Sequence, residues 1–275
     1  MGNGRWKTVR ENQTLRAQVP LVHCITNYVT VNDVANAILA CGGSPIMADD
    51  IAEAADIAAV SSALVINIGT LNARTVASML SAGAAANAKG VPVVLDPVGA
   101  GASALRNDAV RRLLEAVRFA AIRGNLSEIS HLAGLSVSTR GVDSSEADSG
   151  NDAVSVARAA ARRYGCVVAV TGAVDVITDG ARVARVENGV PEMSRVTGTG
   201  CMLSGVIGAY VGANRDVLPA VVAAVASMGI AGELSLERHG GAGTGSFHIG
   251  ILDALSKITD ETIEKRGRIT YEEEH

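Results

Sequence analysis

The stretch that decides the fold class runs from residue 91 to residue 103 and reads Val91-Pro92-Val93-Val94-Leu95-Asp96-Pro97-Val98-Gly99-Ala100-Gly101-Ala102-Ser103. Its first half is a short apolar run that ends in a carboxylate, and its second half is a Gly-rich turn. An amphipathic helical pattern over residues 104–117 follows. A strand that is apolar on both faces and leads through a turn into a helix is typical of a parallel sheet with helices on both sides. The stretch therefore predicts an α/β protein.

The same alternation of strand and helix continues on both sides of this stretch. With residues 91–96, the predicted strands are 21–26, 44–47, 64–68, 120–122 and 167–171. The predicted helices are 31–40, 71–89, 104–117, 152–164, 201–211 and 217–233, with Asp216 as the cap of the last. Residues 175–189 contain the turn signals Asp179-Gly180 and Asn188-Gly189, which favour an antiparallel meander at the sheet edge. No linker or repeat divides the chain, so residues 1–275 are predicted to form one α/β domain with a mostly parallel central sheet.

Composition excludes several classes of protein. Hydrophobic residues make up 48% of the 275 residues and charged residues 19%, which is enough apolar surface for a large core and excludes a mainly disordered chain. The net charge of −4 argues against a nucleic-acid partner, because phosphate backbones require a cationic face. The four cysteines are scattered, and a chain of this length argues against a disulfide framework. They include no C-x-x-C pair, so zinc-ligand spacing is absent.

The chain ends and one interior stretch give further expectations. Residues 1–18 are polar without an apolar signal-peptide core, and the apolar run 217–232 is too short and too rich in Ala and Gly for a bilayer span. We therefore expect a cytoplasmic protein with no membrane partner. Residues 1–18 and 266–275 are expected to be peripheral, with residues 272–275 as a frayed tail. The polar residues 136–152 predict a solvated surface loop or a lid near a ligand.

Ligands of open α/β sheets bind where the strands end, and the first polar segment there follows residue 95. Asp96 would face such a ligand, and residues 99–104 match the pattern G-x-G-x-x-A of dinucleotide-binding folds. An NAD site needs an acidic residue after the next strand, but Arg123-Gly124-Asn125 stands there and would suit the 2′-phosphate of NADP. The segment thus allows an NADP site, a purely structural turn, or a site of another kind.

A second segment, residues 122–128, joins a cation to a carboxylate. Arg123 can bind phosphate oxygens with two hydrogen bonds, and Glu128 can hold Mg²⁺ directly or through water. The alternative is a surface ion pair between these two residues, with Asn125 as the cap of the following helix.

The third segment, Val196-Thr197-Gly198-Thr199-Gly200-Cys201, opens an apolar helix. A Gly-rich turn at a helix start presents unpaired backbone N–H groups and the positive end of the helix dipole, which together bind anions. The thiol of Cys201 would lie in the same space, as a proton acceptor, as a group that positions a ligand, or as a buried structural cysteine. Asn27 could bind a ligand or cap the helix after it, and Met47 by itself reads as core.

Seven blocks of sequence resemble the hydroxyethylthiazole kinase family of the ribokinase-like superfamily. They are Pro20-Leu21-Val22-His23-Cys24-Ile25-Thr26-Asn27, Ser44-Pro45-Ile46-Met47-Ala48, Asn67-Ile68-Gly69-Thr70-Leu71, Leu95-Asp96-Pro97-Val98-Gly99-Ala100-Gly101-Ala102, Ile122-Arg123-Gly124-Asn125, Val170-Thr171-Gly172 with Asp175-Val176-Ile177, and Val196-Thr197-Gly198-Thr199-Gly200-Cys201. They run in order over nearly the whole chain. The most specific feature is Cys201, because most ribokinase-like kinases carry Asp at this position, in a G-A-G-D turn.

The resemblance implies a ribokinase-like three-layer fold and a reaction in which ATP phosphorylates the primary alcohol of 4-methyl-5-(2-hydroxyethyl)thiazole. It also implies Mg²⁺ and a homotrimer with active sites at subunit interfaces. The positions that match the family are Asn27, Met47 and Gly198 on the thiazole side, Arg123 and Thr171 on the nucleotide phosphates, Asp96 and Glu128 around Mg²⁺, and Cys201 at the catalytic position. For Met47 the resemblance overrides the core interpretation.

Three other functions remain to be tested against this one. A ribokinase-like kinase could act on another small alcohol, of the hydroxymethylpyrimidine or pyridoxal type. An NADP-dependent oxidoreductase would bind NADPH and release no ADP. A nucleotide-binding regulatory module would bind ATP without turnover. The residues before Glu128, Leu126-Ser127, are the weakest part of the resemblance, and the loop 239–243 has no assigned role.

Overall fold

The computed structural model describes residues 10–135 and 146–273, without side chains at 146–152 and 273. The described residues form a nine-stranded sheet in the order β2-β1-β3-β4-β5-β6-β7-β8-β9. The strands are β1 (Leu21–Ile25), β2 (Ser44–Ile46), β3 (Ala63–Asn67), β4 (Val93–Asp96), β5 (Ala121–Asn125), β6 (Val167–Thr171), β7 (Asp175–Thr178), β8 (Arg182–Val186) and β9 (Ile269–Glu273). Strands β1 to β6 are parallel, and β6 to β9 pair antiparallel.

Helices follow the strands as predicted, with additional short ones. They are α1 (Glu11–Gln18), α2 (Val31–Cys41), α3 (Ala54–Val60), α4 (Ala73–Lys89), α5 (Ala104–Ala116), α6 (Leu126–Ala133), α7 (Glu146–Tyr164), α8 (Thr199–Ala213), α9 (Val217–His239), α10 (Thr244–Leu255) and α11 (Asp260–Arg266), with a 3₁₀ turn at Pro191–Arg195. The predicted α/β class, mostly parallel sheet and edge meander are confirmed.

Alternating strand side chains build a core on each face of the sheet. On β3, Val65 points to the face covered by α2, α8, α9 and α10, whereas Leu64 and Ile66 point to the face covered by α3, α4, α5, α6 and α7. All three side chains are at most 1% exposed, because parallel strands between two helical layers have no solvent face. The result is the expected three-layer arrangement.

Several sequence expectations at the edges need correction. The prediction of a frayed tail is wrong for residues 272 and 273, because β9 pairs with β8 along its whole length and is the edge strand of the sheet. In the segment expected to be peripheral at the other end, α1 buries Leu15 completely. The predicted loop 136–152 lies partly outside the described residues, and from residue 146 onward it is already α7.

The predicted cap of α9 is also different. Asp216 occupies the N-cap position, but within the described part of the chain its carboxylate makes no hydrogen bond to the first turn and lies 3.7 Å from Arg182 Nη2 instead. The expectation that the apolar run 217–232 is too short for a bilayer span is wrong, because α9 has 23 residues and is long and apolar enough by composition to cross a membrane. However, 83% of its most apolar window is buried inside the protein. It packs as a core helix on β6, β7 and β8.

Helix α8 lies unusually close to the sheet because glycines face it. A Cβ at Gly208 would come within 2.4 Å of Val65 Cγ2 and 3.1 Å of Val22 Cγ1. Such contacts are closer than carbon atoms tolerate, so any side chain at this position pushes the helix from β1 and β3. The position of the α8 N-terminus over the strand ends depends on this close packing.

We predict that Gly208→Ala lowers the free energy of unfolding by about 1–3 kcal/mol, because it overpacks the contact with Val65. The measurement is the midpoint of urea unfolding, with the slope m unchanged. Gly245→Ala is the matched control: it also lies in a helix, but nothing is within 4 Å of its Cβ, so stability should stay the same or rise slightly. Equal stability of the Gly208→Ala variant would contradict the packing argument.

Candidate active site

Polar side chains collect at the carboxyl ends of the central parallel strands. Asn67 ends β3, Asp96 ends β4, Asn125 ends β5 and Thr171 ends β6. Because these strands are neighbours in the sheet, their last residues lie at one edge, where open α/β sheets bind ligands. The edge faces the N-terminus of α8.

Asp96 lies at the centre of this edge and is fully buried. Its Oδ2 accepts hydrogen bonds from Ser204 Oγ at 2.7 Å and from Asn67 Nδ2 at 2.9 Å. Burial raises the pKa of Asp96 to about 6, an effect that the Arg123 guanidinium, 3.6 Å away, partly offsets. Its other oxygen, Oδ1, is buried without a hydrogen-bond partner among the described residues.

Cys201 is joined to this carboxylate through two asparagines. Its Sγ lies 3.3 Å from both Asn27 Nδ2 and Asn67 Nδ2, which donate to it. Cys201 is half-buried, whereas the other three cysteines of the chain are buried. The two donors occupy two sides of the sulfur, so it is held as an acceptor at the edge of the sheet.

Arg123 connects the Asp96 carboxylate to a cavity of about 560 Å³. Its Nη2 donates to Thr171 Oγ1 at 2.7 Å, and its Nε is buried without a partner within the described ranges. The cavity is lined by Arg123 and Thr171, by the first turn of α8, and on its apolar side by Leu203, Val225 and Met228. A guanidinium at one end and apolar side chains at the other suit a phosphorylated ligand with an apolar ring.

The N-terminus of α8 opens into the same cavity. Gly198, the N-cap, has φ +85°, a conformation that side chains rarely adopt, and a Cβ there would lie 2.5 Å from Thr30 Cγ2. At Gly200 a Cβ would lie 2.6 Å from Arg123 Nη1. The first helical hydrogen bond runs from Met202 N to Gly198 O, so the N–H groups of residues 199–201 lie ahead of it at the positive end of the helix. The predicted anion-binding geometry is present.

The Gly-rich turn after β4 has its N–H groups in use. Gly99 N donates to Glu128 Oε1 and Gly101 N to Asn107 Oδ1, both at 2.8 Å, and the N–H groups of Ala100 and Ala102 bond to carbonyls of the turn itself. A dinucleotide-binding turn offers these groups to the pyrophosphate. The strand order also differs from the Rossmann order 3-2-1-4-5-6. The NADP alternative is therefore wrong, and the turn is structural.

Glu128 is engaged by backbone rather than by Arg123. Its Oε2 accepts from Asn125 N at 2.8 Å, and Asn125 Oδ1 accepts from Glu128 N at 2.9 Å. This reciprocal pair is a capping box at the start of α6. The sequence alternative was right about Asn125 as a cap. Because both oxygens of Glu128 accept backbone hydrogen bonds, its predicted role near Mg²⁺ stays a prediction and fits contact through water better than direct ligation.

The remaining predicted residues are Asn27, described above with Cys201, and Met47. Met47 follows β2 and is half-buried against the core on the α8 side. The residue after it is held by His23, whose Nε2 donates to Ala48 O at 2.6 Å. The structure thus brings together Asn27, Asp96, Arg123, Thr171 and Cys201 through direct hydrogen bonds and one ion pair, and Gly198 through the backbone of α8. Met47 lies two strands away from β3.

Sequence reasoning assigned no role to three residues of this site. Asn67 and Ser204 both donate to Asp96, and Arg106 donates to the carbonyls of Ile68, Val98 and Gly69 at 2.6–2.7 Å. Arg106 thereby ties the loop after β3 to the loop after β4. A signal existed for Asn67, a lone amide at the end of an apolar strand. The spacing of Ser204, one helical turn after Cys201, was a weaker one.

Asp96 is the residue that best fits a divalent cation. Its unpartnered Oδ1 is a buried, negatively charged atom that hard cations such as Mg²⁺ prefer as a ligand. No group of three or more His, Cys, Asp or Glu side chains that could hold a metal ion occurs among the described residues. The donor set therefore fits a cation that is held by one protein carboxylate and completed by phosphate oxygens and water, as is usual for Mg²⁺ at phosphate-transfer sites.

Comparison with known proteins agrees with this geometry. The model of the "Hydroxyethylthiazole kinase family" matches residues 13–261. A protein of Ruminiclostridium cellulolyticum named hydroxyethylthiazole kinase is 57% identical over 93% of this chain and 94% of its own, and one of Clostridium beijerinckii with the same name is 56% identical over the same shares. The solved structure of a hydroxyethylthiazole kinase from Pyrococcus horikoshii superposes with a TM-score of 0.87 at 38% identity, covering 96% of this chain and 98% of its own.

More distant structures share the fold alone. A pyridoxal kinase of Bacillus subtilis, solved as an ADP complex, superposes with a TM-score of 0.59 at 19% identity over 78% of this chain and 91% of its own. A protein of Enterococcus faecalis described as a ribokinase-like superfamily protein superposes at 0.63 with 10% identity, over 94% of this chain and 98% of its own.

Asp175, at the start of β7 beside the cavity, makes the stability depend on pH. Burial raises the pKa of Asp175 to about 7, against the opposing effect of the hydrogen bond from Gly172 N. The folded protein thus binds this proton more tightly than the unfolded chain, so the group's stabilising contribution is present below its ordinary pKa and is lost as pH rises to about 7. We predict that Asp175→Asn gains stability relative to wild type as pH rises through this window, measured by urea unfolding without nucleotide.

Asp179→Asn is the control with the opposite sign. Burial raises the pKa of Asp179, but the stronger sum of hydrogen bonds from Arg182 and Ala181 lowers it below the ordinary value. Asp179 therefore stabilises the fold above that value, and its Asn variant should lose stability at neutral pH and approach wild type in acid. A pH-independent difference between Asp175→Asn and wild type would contradict the assignment of the raised pKa.

Proposed function

Because the chain belongs to the hydroxyethylthiazole kinase family, we propose that the site at the end of β3, β4, β5 and β6 transfers the γ-phosphoryl group of ATP to the primary alcohol of 4-methyl-5-(2-hydroxyethyl)thiazole. Membership in the family makes the chain a kinase that forms the thiazole phosphate and ADP for thiamine synthesis. The observation on which the proposal depends is that Cys201, Asp96 and Arg123 lie together at the N-terminus of α8. Asn67 donates to both Cys201 and Asp96, and Arg123 forms an ion pair with Asp96.

The nucleotide side of the site is the cavity beside Arg123. The guanidinium and the Thr171 hydroxyl are hydrogen-bonded to each other and lie where phosphates would meet the N–H groups of residues 199–201. The unpartnered Nε of Arg123 is an additional donor. Apolar residues of α8 and α9 at the other end of the cavity suit the adenine ring. In this arrangement the protein's own contribution to charge neutralisation comes from one fixed cation and one helix dipole.

On the alcohol side of the site, the proton acceptor is Cys201 Sγ. In the transfer step, the alcohol oxygen forms a bond to the γ-phosphorus while the bond from that phosphorus to the bridging oxygen of ADP breaks. The alcohol proton passes to the Cys201 sulfur, which enters the step as the thiolate and leaves it as the thiol, and the N–H groups at the start of α8 stabilise the charge on the transferring group. Asn27 Nδ2 and Asn67 Nδ2 hold the sulfur for this role, each at 3.3 Å. Because the transition state is loose, in-line placement matters more than a strong base.

Mg²⁺ would be held by Asp96 Oδ1, with Glu128 nearby through water, and would supply neutralisation of the phosphate charge. Met47 and Gly198 are proposed to contact the thiazole. A homotrimer with active sites between subunits, and a cytoplasmic location, remain proposals that the family resemblance supports. One kinase domain covering residues 1–275 is proposed on the same ground.

The experiment that tests the function is ADP release from Mg·ATP with and without the hydroxyethylthiazole alcohol, with the phosphorylated product identified by mass. We expect release that depends on the alcohol. Hydroxymethylpyrimidine and pyridoxal serve as alternative acceptors in parallel assays. Faster turnover of either would replace the proposed substrate, and ATP binding without any turnover would favour a regulatory module.

The role of Cys201 predicts the behaviour of two variants. Cys201→Asp puts another acceptor beside the same two amide donors, so turnover that depends on the alcohol should persist. Cys201→Ala removes the acceptor and should lower kcat by about 100-fold or more, the usual contribution of a positioned proton acceptor. The measurement is steady-state ADP release, with Cys166→Ala, a cysteine buried between α7 and β6, as the control that leaves kcat unchanged. A folded but inactive Cys201→Asp would contradict the proton-acceptor role.

A further inference from the structure

We propose that Asn67 is a positioning residue of the kinase reaction, one amide that fixes the Asp96 carboxylate and the Cys201 sulfur relative to each other. The proposal rests on the proposed function, because it assigns Asn67 to that same site. Sequence reasoning assigned no role to Asn67. Its side chain is 2% exposed at the end of β3, and it makes four hydrogen bonds there.

The orientation of the Asn67 amide is determined by a backbone donor. Gly69 N–H lies 2.9 Å from Asn67 Oδ1, and since a backbone N–H can only donate, the atom facing it has to be the oxygen. The nitrogen Nδ2 then faces Asp96 Oδ2 at 2.9 Å and Cys201 Sγ at 3.3 Å. Its two hydrogens are thereby assigned one to each partner.

The same argument orients the second amide. Asn27 Oδ1 accepts from Thr30 N at 3.2 Å, so Asn27 Nδ2 faces Asn67 Oδ1 at 3.0 Å and Cys201 Sγ at 3.3 Å. Both side chains therefore present N–H groups to the sulfur, and their orientations are not interchangeable. Because these two donors occupy two sides of the sulfur, the alcohol can approach it only from the side that remains open.

The carboxylate is restricted in the same manner. Asn67 Nδ2 and Ser204 Oγ both donate to Oδ2 of Asp96, which leaves Oδ1 as the oxygen without a partner among the described residues. The two reactive atoms, Cys201 Sγ and Asp96 Oδ1, thus each keep one open side. A single buried amide touches both groups, so its loss would free the two groups to move independently. A misplacement of about 1 Å at such a site can cost about 100-fold in rate.

The surroundings leave the amide no other position. A Cβ at Gly69 would lie 2.8–2.9 Å from three atoms of the Asn27 side chain, so the backbone of the β3–α4 loop packs directly on the second amide. The carbonyls of Ile68 and Gly69 accept hydrogen bonds from Arg106 at 2.7 Å. The donor that orients Asn67 is itself held by these contacts.

The test is Asn67→Asp, which has the same shape. The variant keeps the two acceptor contacts to Gly69 N and Asn27 Nδ2, and it replaces the donor nitrogen that faces Asp96 and Cys201 by an oxygen. We expect kcat for the hydroxyethylthiazole alcohol to fall by about 10- to 100-fold, with KM for the alcohol and for ATP changed by less than about 2-fold. An unchanged kcat, or a loss confined to KM, would overturn the proposal.

A second readout follows the sulfur directly. Cys201 is the half-buried cysteine, so alkylation by iodoacetamide, followed by mass spectrometry of its peptide, reports on its thiolate. Asn67→Asp replaces an N–H donor by a negative charge, so alkylation at Cys201 should slow by about 3-fold or more. A variant that merely loosened the structure would expose the thiol and speed the reaction, and that result would contradict the proposal.

Asn36→Asp is the matched control, because Asn36 on α2 makes the same kind of amide contact, to Asn32, but at the surface. It should leave kcat and alkylation unchanged. Should Asn67→Asp fail to fold, Asn67→Ser replaces it: one hydroxyl hydrogen can serve Asp96 or Cys201 but not both, so kcat should again fall while KM stays. Wild-type protein without turnover on the alcohol would refute the proposed function itself. Active wild type with an active Asn67→Ser would refute only the role of Asn67.

Discussion

The burial of one carboxylate, Asp96, is the constraint on which the site depends. An ionised group in the interior needs donors, and here they come from β3 (Asn67), from α8 (Ser204) and, as a charge, from β5 (Arg123). Each donor therefore has to lie within a few ångströms of the carboxylate. This requires α8 to pack closely on the sheet and the ends of β3, β4 and β5 to lie side by side. The raised pKa of Asp96, about 6, reflects the part of the burial cost that these partners do not offset.

The distribution of free backbone N–H groups decides which Gly-rich turn can offer donors to a phosphate. Within residues 10–135 and 146–273, two such turns lie at the same edge, after β4 and before α8, and by composition they look alike. In the first turn, the N–H groups of Gly99 and Gly101 donate to Glu128 and Asn107, so they are not available to a ligand. In the second, the left-handed Gly198 starts a helix whose first N–H groups remain available beside Arg123. The chemistry of a kinase follows from this difference, because a phosphoryl group needs donors that are held in place but not already used.

Sequence patterns located most of the fold. The strand β6 was predicted at its observed bounds, and β1 to β3 within a residue at each end, because apolar runs flanked by turn residues are a strong local signal. The edge strand β9 was missed, since it is short, pairs only with β8, and its two apolar residues, Ile269 and Tyr271, are only partly buried against the core. Helix α1 was missed because Leu15 is its only large apolar residue, and its other buried side chain, Asn12, is polar and donates to the Tyr210 hydroxyl. Short elements that are stabilised by a few long-range contacts leave little trace in local periodicity.

The sequence by itself determined the α/β class, the family and the residue types of the site, because burial on both faces of a parallel strand and Gly-rich strand ends are local properties. Only the tertiary structure decided which polar groups meet. Both oxygens of Glu128 accept hydrogen bonds from backbone N–H groups only because Gly99, 29 positions earlier, lies beside it. Asn67 can join Asp96 to Cys201 only because Cys201, 134 positions later, is brought next to it. Hydrogen bonds act over about 3 Å, so they register the three-dimensional distance between two groups and never their separation along the chain.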